Sequence, residues 1–130
     1  MEIEFEVELK PIQRTISSTG GTRRGTIDVP RLTRLLVLAH QIEQAIEQGR
    51  AEDYAEVARQ LGVSRARITQ VVNLLLLSPA IQTTILTKPR EVDHLSERQV
   101  RKIADELDWR RQQTMFDDLL VKAHVASETL

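Results

Sequence analysis

YAEVARQLGVSRARITQVVN, residues 54–73, divides into two helical halves around a three-residue turn. In the first half, Val57 and Leu61 stand one turn apart with Ala58 beside them, which makes one face apolar. Asp53 precedes this half and suits the cap of its first turn. Gly62 follows Leu61 and supplies the left-handed residue on which helices commonly stop. Val63 anchors the turn, Ser64 caps the second half, and Ile68 and Val71 hold that helix down while its opposite side stays polar. Ala58 is small at the point where two such helices cross closely. The order predicts a helix-turn-helix.

The same spacing extends outward in both directions. Upstream, Leu32, Leu35, Leu36, Leu38, Ala39, Ile42, Ala45 and Ile46 recur at helical intervals between Pro30, suited to a first turn, and Gly49, suited to a stop. They predict a helix of about four to five turns. Downstream, Val72, Leu74, Leu75 and Leu76 carry the second helix on to Ser78-Pro79, which restarts a short helix through Ile81 and Ile85. Lys88-Pro89 opens a linker, and Ser96 caps a segment with Val100, Ile103, Ala104 and Leu107. A further helix is expected over residues 109–125, with the final residues of the chain frayed, and Trp109 reads as its packing anchor; an exposed Trp there would instead mark a partner site.

Residues 1–10 follow a different period. Ile3, Phe5, Val7 and Leu9 alternate with Glu2, Glu4, Glu6 and Glu8, the pattern of a strand with one buried face. No second strand of equal quality follows, so this one is expected to pair with a second copy or with another protein. Pro11 ends it, and residues 13–25, with three Gly and three Arg, read as a mobile arm. The expected fold class is mainly α: an N-terminal strand and basic arm over residues 1–28, a helix-turn-helix domain over 29–90, and a helical extension over 91–130.

Composition agrees with one helical core. The chain has 130 residues, 41% apolar and only 3% aromatic, with long stretches of Leu, Ala, Glu, Gln and Arg. It contains no Cys, which excludes disulfides, thiolate zinc sites and thiol chemistry. The apolar stretch around residues 71–77 is far below the roughly 20 residues that span a bilayer. Acids rather than bases follow Met1, so neither a secretion signal nor a membrane segment is expected, and the expected address is cytoplasmic. Net charge is −1 but unevenly spread. Residues 10–34 carry Lys10, Arg14, Arg23, Arg24, Arg31 and Arg34 against the single acid Asp28, while from Glu91 onward nine acids face six bases. A basic side for phosphates and an acidic tail follow from that segregation.

A helix-turn-helix sets the start of its second helix into the major groove of duplex DNA, where side chains reach base edges. The expected DNA-binding residues are therefore Ser64, Arg65, Arg67, Thr69, Gln70 and Asn73. Arg suits guanine O6 and N7, Gln and Asn suit adenine N6 and N7, and Ser and Thr can bond phosphate or base. Arg67 has two readings, a base contact or a phosphate clamp. Arg23 and Arg24, next to Gly20-Gly21 and Gly25, are the candidates for an arm in the minor groove, with a solvated basic loop as the alternative. His40, His94 and His124 are too scattered to gather a metal. No phosphate-cradling Gly loop, nucleophile elbow or carboxylate pair is present, so no catalytic residues, no enzyme activity and no cofactor are expected.

Residues 58–75, followed by Leu77-Ser78-Pro79-Ala80-Ile81-Gln82, resemble the helix-turn-helix of ParB-type partition proteins, and the similarity covers residues 54–86. It implies a reading helix that runs into a Leu-rich extension, then a turn with Pro and another short helix. No ParB-type nucleotide-binding domain fits residues 1–50, so CTP-driven clamping is not implied. The stretch from Arg31 to Leu86, with Leu95-Ser-Glu-Arg98 and Asp108-Trp109-Arg110, also resembles small helix-turn-helix proteins encoded beside site-specific recombinases in bacterial and phage mobile elements. The expected function is sequence-specific binding of double-stranded DNA as a homodimer, in transcription regulation of a mobile element or phage. Its alternatives are a DNA recombination accessory factor acting with a recombinase, a partition-type centromere binder, and a protein-interaction module without DNA affinity.

Overall fold

Apolar residues at every third or fourth place produce the first helix, α1 (Arg31–Glu47), whose buried stripe includes Leu32, Leu35, Leu36, Ala39, Ile42 and Ala45. The structure, a computed structural model, describes the backbone of residues 29–129 and the side chains of residues 29–122. The N-terminal strand and the arm bearing Arg23 and Arg24 lie outside the described residues. After α1 the chain turns at Gly49, in the left-handed region at φ 78°, with Arg50 N–H donating to Ala45 O at 2.8 Å.

Helix α2 (Tyr54–Leu61) begins as its sequence predicts, with the Asp53 carboxylate accepting from Glu56 N–H at 2.9 Å. It ends at Gly62, φ 72°, and Val63 N–H reaches back to Ala58 O at 3.1 Å. Helix α3 (Arg65–Val72) starts under Ser64, whose Oγ accepts from Arg67 N–H at 3.1 Å. α3 packs against both α2 and α1, and Val57, Leu61, Ile68 and Val71 are fully buried between them.

The α geometry stops earlier than expected. Residues Asn73–Leu76 form a 3₁₀ turn rather than a continuation of α3, and Leu77 and Ser78 are extended. Pro79 sets the limit: its ring disfavours helical dihedrals at Ser78, and the helix ends ahead of it by tightening. The change of pitch turns Leu74 into the core and Leu76 out, 53% exposed.

Ser78 then caps α4 (Pro79–Thr87), which lies on α1. Thr33 Oγ1 donates to Ile85 O at 3.0 Å in the buried seam, and His40 Nε2 shares a 2.8 Å hydrogen bond with Gln82 Oε1 at its edge. Gln82 also donates to Leu75 O and Leu77 O, which satisfies carbonyls left open where the helix breaks.

Where a linker is expected, Pro89 starts a one-turn helix, α5 (Pro89–Val92), which delivers Val92 and Leu95 to the core. Helix α6 (Glu97–Ala104) opens with a capping box: Ser96 Oγ accepts from Gln99 N–H, and Gln99 Oε1 accepts from Ser96 N–H. α6 packs against the 3₁₀ turn and against α7 (Trp109–Thr129), whose backbone stays helical through the end expected to fray.

Two apolar residues are not where sequence spacing puts them. α6 stops at Ala104, so Leu107 falls on the connection and is 91% exposed. Asp108 caps α7 by accepting from Arg110 N–H at 2.9 Å, and Trp109 takes the first helical position facing outward, 54% exposed. The inward positions one turn apart belong to Gln112 and Phe116, both buried. One buried cluster thus runs from Leu32 in α1 to Phe116 in α7.

Candidate functional site

The exposed side of α3 follows from what its other side must bury. At about 100° per residue, Ile68, Val71 and Val72 share the face against α1 and α2. The opposite face centres on Ala66, Gln70 and Asn73, with Thr69 and Arg65 toward one flank and Arg67 on the other. Ser64, Arg65, Ala66, Thr69, Gln70 and Asn73 are all exposed. Asn73 belongs to the 3₁₀ turn, so it continues this face at a slightly different pitch.

Of the predicted residues, Arg65, Thr69, Gln70 and Asn73 share one outward surface. Ser64 is committed through its Oγ to the cap of α3. Arg67 is set apart, because it is largely covered and both of its terminal nitrogens bind Glu97, at 2.5 Å (Nη1–Oε2) and 2.9 Å (Nη2–Oε1). This is a bidentate guanidinium–carboxylate pair. Nη1 also donates to Gln70 Oε1 at 3.0 Å, which ties the support on one flank to the exposed amide at the centre.

Glu97 draws in more than Arg67. Arg101, one turn along α6, stands at 3.5 Å, and Arg31, the first residue of α1, at 3.7 Å. Burial alone pushes the Glu97 carboxyl up, but the hydrogen bonds and charge of Arg67, with the charges of Arg101 and Arg31, outweigh it and hold the group below the usual carboxylate range. For Arg31, burial lowers the guanidinium's proton affinity more than Glu97 raises it, and the neighbouring Arg67 and Arg34 lower it further. Three cations converge on one anion where α1, α3 and α6 meet.

Sequence reasoning missed Glu97 and Ala66. Glu97 sits 30 residues from Arg67 and reads locally as an ordinary first-turn acid behind Ser96; its one signal is that it is the only acid in a helix that also holds Arg98, Arg101 and Lys102. Ala66 lacks any functional group, yet at the centre of the outward face it leaves the helix axis free to approach a surface closely. Its methyl also fits an apolar contact such as the thymine methyl group.

Elsewhere, the Tyr54 hydroxyl donates to Glu43, and burial together with that bond pushes its pKa up to about 12. The exposed His94 ring lies 3.3 Å from Asp93. Among the described residues no three His, Cys, Asp or Glu side chains gather as a metal site, and no single helix is long and apolar enough to cross a membrane. Comparison of the chain with models of known families, with curated proteins and with solved structures finds no match.

Proposed function

We propose that this protein is a sequence-specific binder of double-stranded DNA that sets α3 into the major groove and regulates transcription in a mobile element or phage. One observation carries the reading. A Gly62-hinged, Ser64-capped helix buries Ile68, Val71 and Val72 and turns outward Arg65, Thr69, Gln70 and Asn73, four side chains able to bond base edges or phosphates around the small Ala66. The resemblance of residues 54–86 to ParB-type helix-turn-helix segments supports it. A single such unit reads only a few base pairs, so the protein acts as a homodimer on two half-sites about one DNA turn apart.

A role beside a site-specific recombinase is the second reading, and the exposure of Trp109 with Leu107 favours it. Half-exposed Trp at the head of a long helix suits a protein contact. In that case the same DNA-reading helix brings a recombination accessory factor to its site.

The test is selection of bound duplexes from a random pool at physiological salt, with Arg65→Ala/Gln70→Ala as control. The wild type is expected to enrich a two-fold symmetric motif, and the variant to lose it while keeping its helical circular dichroism. Weak binding without enrichment, falling steeply with salt, would refute sequence-specific reading.

A further inference from the structure

Glu97, Arg67 and Gln70 form a chain of contacts from the part-buried first residue of α6 to the centre of the exposed face of α3. Its inner end is held from several sides: the Glu97 side chain is 14% exposed and Arg67 17%, the pair is bidentate, and Arg31 and Arg101 close around the same carboxylate. Its outer end has one allowed polarity. A guanidinium offers only donors, so the Gln70 amide must turn Oε1 toward Arg67 and its NH₂ group away from it.

That polarity bears on base selection. A free Gln pairs bidentately with adenine, donating to N7 and accepting from N6, whereas guanine presents two acceptors, N7 and O6. With its oxygen drawn back to Arg67, Gln70 offers donors outward, and an edge of two acceptors suits it better than one of mixed kind.

We propose that Glu97 is a positioning residue for base selection, holding Arg67 so that Gln70 presents its NH₂ group and favours guanine over adenine at the base it meets. The inference rests on the DNA-reading function proposed above. It assigns to Arg67 a supporting role behind the reading surface and makes a residue of α6 part of the specificity of α3.

Duplex selection with the full chain tests it, comparing the wild type with Arg65→Ala, Gln70→Ala, Glu97→Ala and Glu97→Gln. Gln70→Ala identifies the position Gln70 reads as the one whose preference disappears. There the wild type is expected to favour guanine over adenine by about tenfold, the discrimination of one good base contact. Glu97→Ala should bring that ratio to near one or invert it while preferences lost in Arg65→Ala stay unchanged. Glu97→Gln, which accepts from Arg67 without charge, should fall between and serves as the readout if Glu97→Ala fails to fold by circular dichroism. An unchanged ratio in the folded Glu97 variants, an adenine preference in the wild type, a uniform loss at every position, or no position lost in Gln70→Ala would overturn the inference while leaving DNA reading intact. No enriched motif in the wild type would overturn both.

Discussion

Replacing Gln112 by Met keeps the volume of a buried side chain and removes three hydrogen bonds at once. Gln112 is 1% exposed; its Oε1 accepts from Ser78 N–H at 2.8 Å, and its Nε2 donates to Leu76 O at 3.1 Å and to Glu106 O at 2.8 Å. The Ser78 N–H is buried and would be left without that acceptor, at about 2 kcal/mol. The two carbonyls are part-buried and regain some solvation, so each adds about 0.5 kcal/mol. The expected loss is about 3 kcal/mol, a fall of about 10 °C in melting temperature for a chain of this size. Urea unfolding followed by circular dichroism at 222 nm measures it. Gln112→Glu separates hydrogen bonding from packing: its carboxylate still accepts from Ser78 but faces two carbonyls, so it is expected to be less stable than Gln112→Met at neutral pH and to recover as acid protonates it into a donor. A loss below about 0.5 kcal/mol for Gln112→Met would refute the view that this one amide fastens α7 to the break between α3 and α4.

Gly62→Ala puts a β-carbon on a residue at φ 72° and should cost about 1 kcal/mol or more, read as a lower urea midpoint with unchanged slope; no change would mean that the turn relaxes to another conformation. Because Glu97 titrates below the usual carboxylate range in the fold, its contribution to stability is complete above the unfolded value, about 4.3, and is lost as pH falls below it toward the folded value. Urea midpoints between pH 7 and 3 should therefore fall more steeply for the wild type than for Glu97→Gln, and parallel curves would refute the assignment.

The helices were legible wherever a local signal starts or stops them. Asp53, Ser64, Ser78 and Ser96 each cap the helix expected of them, and Gly62 stops α2 where its neighbours require. What stayed hidden depends on longer range or on competing signals. Leu74, Leu75 and Leu76 read as one apolar run, but the chain tightens into a 3₁₀ turn ahead of Ser78-Pro79, and the last of them faces outward. Trp109 and Leu107 read as core by hydrophobicity alone, whereas the Asp108 cap sets the phase of α7 and gives the inward places to a polar Gln112 and to Phe116. In the candidate site, the outward residues of α3 were visible from the helical period. The Arg67–Glu97 pair was not, since no local pattern links residues 30 positions apart.

Trp109 is the only tryptophan in the chain, and its half-exposed position makes it an optical reporter with an unusual bias. An indole already in contact with water emits at long wavelength in the native state, so unfolding changes its colour little. A molecule that settles over the head of α7 would dry the ring and move its emission to the blue. The emission wavelength of this half-exposed indole is thus expected to move further on docking than on denaturation, and a titration needs no attached dye.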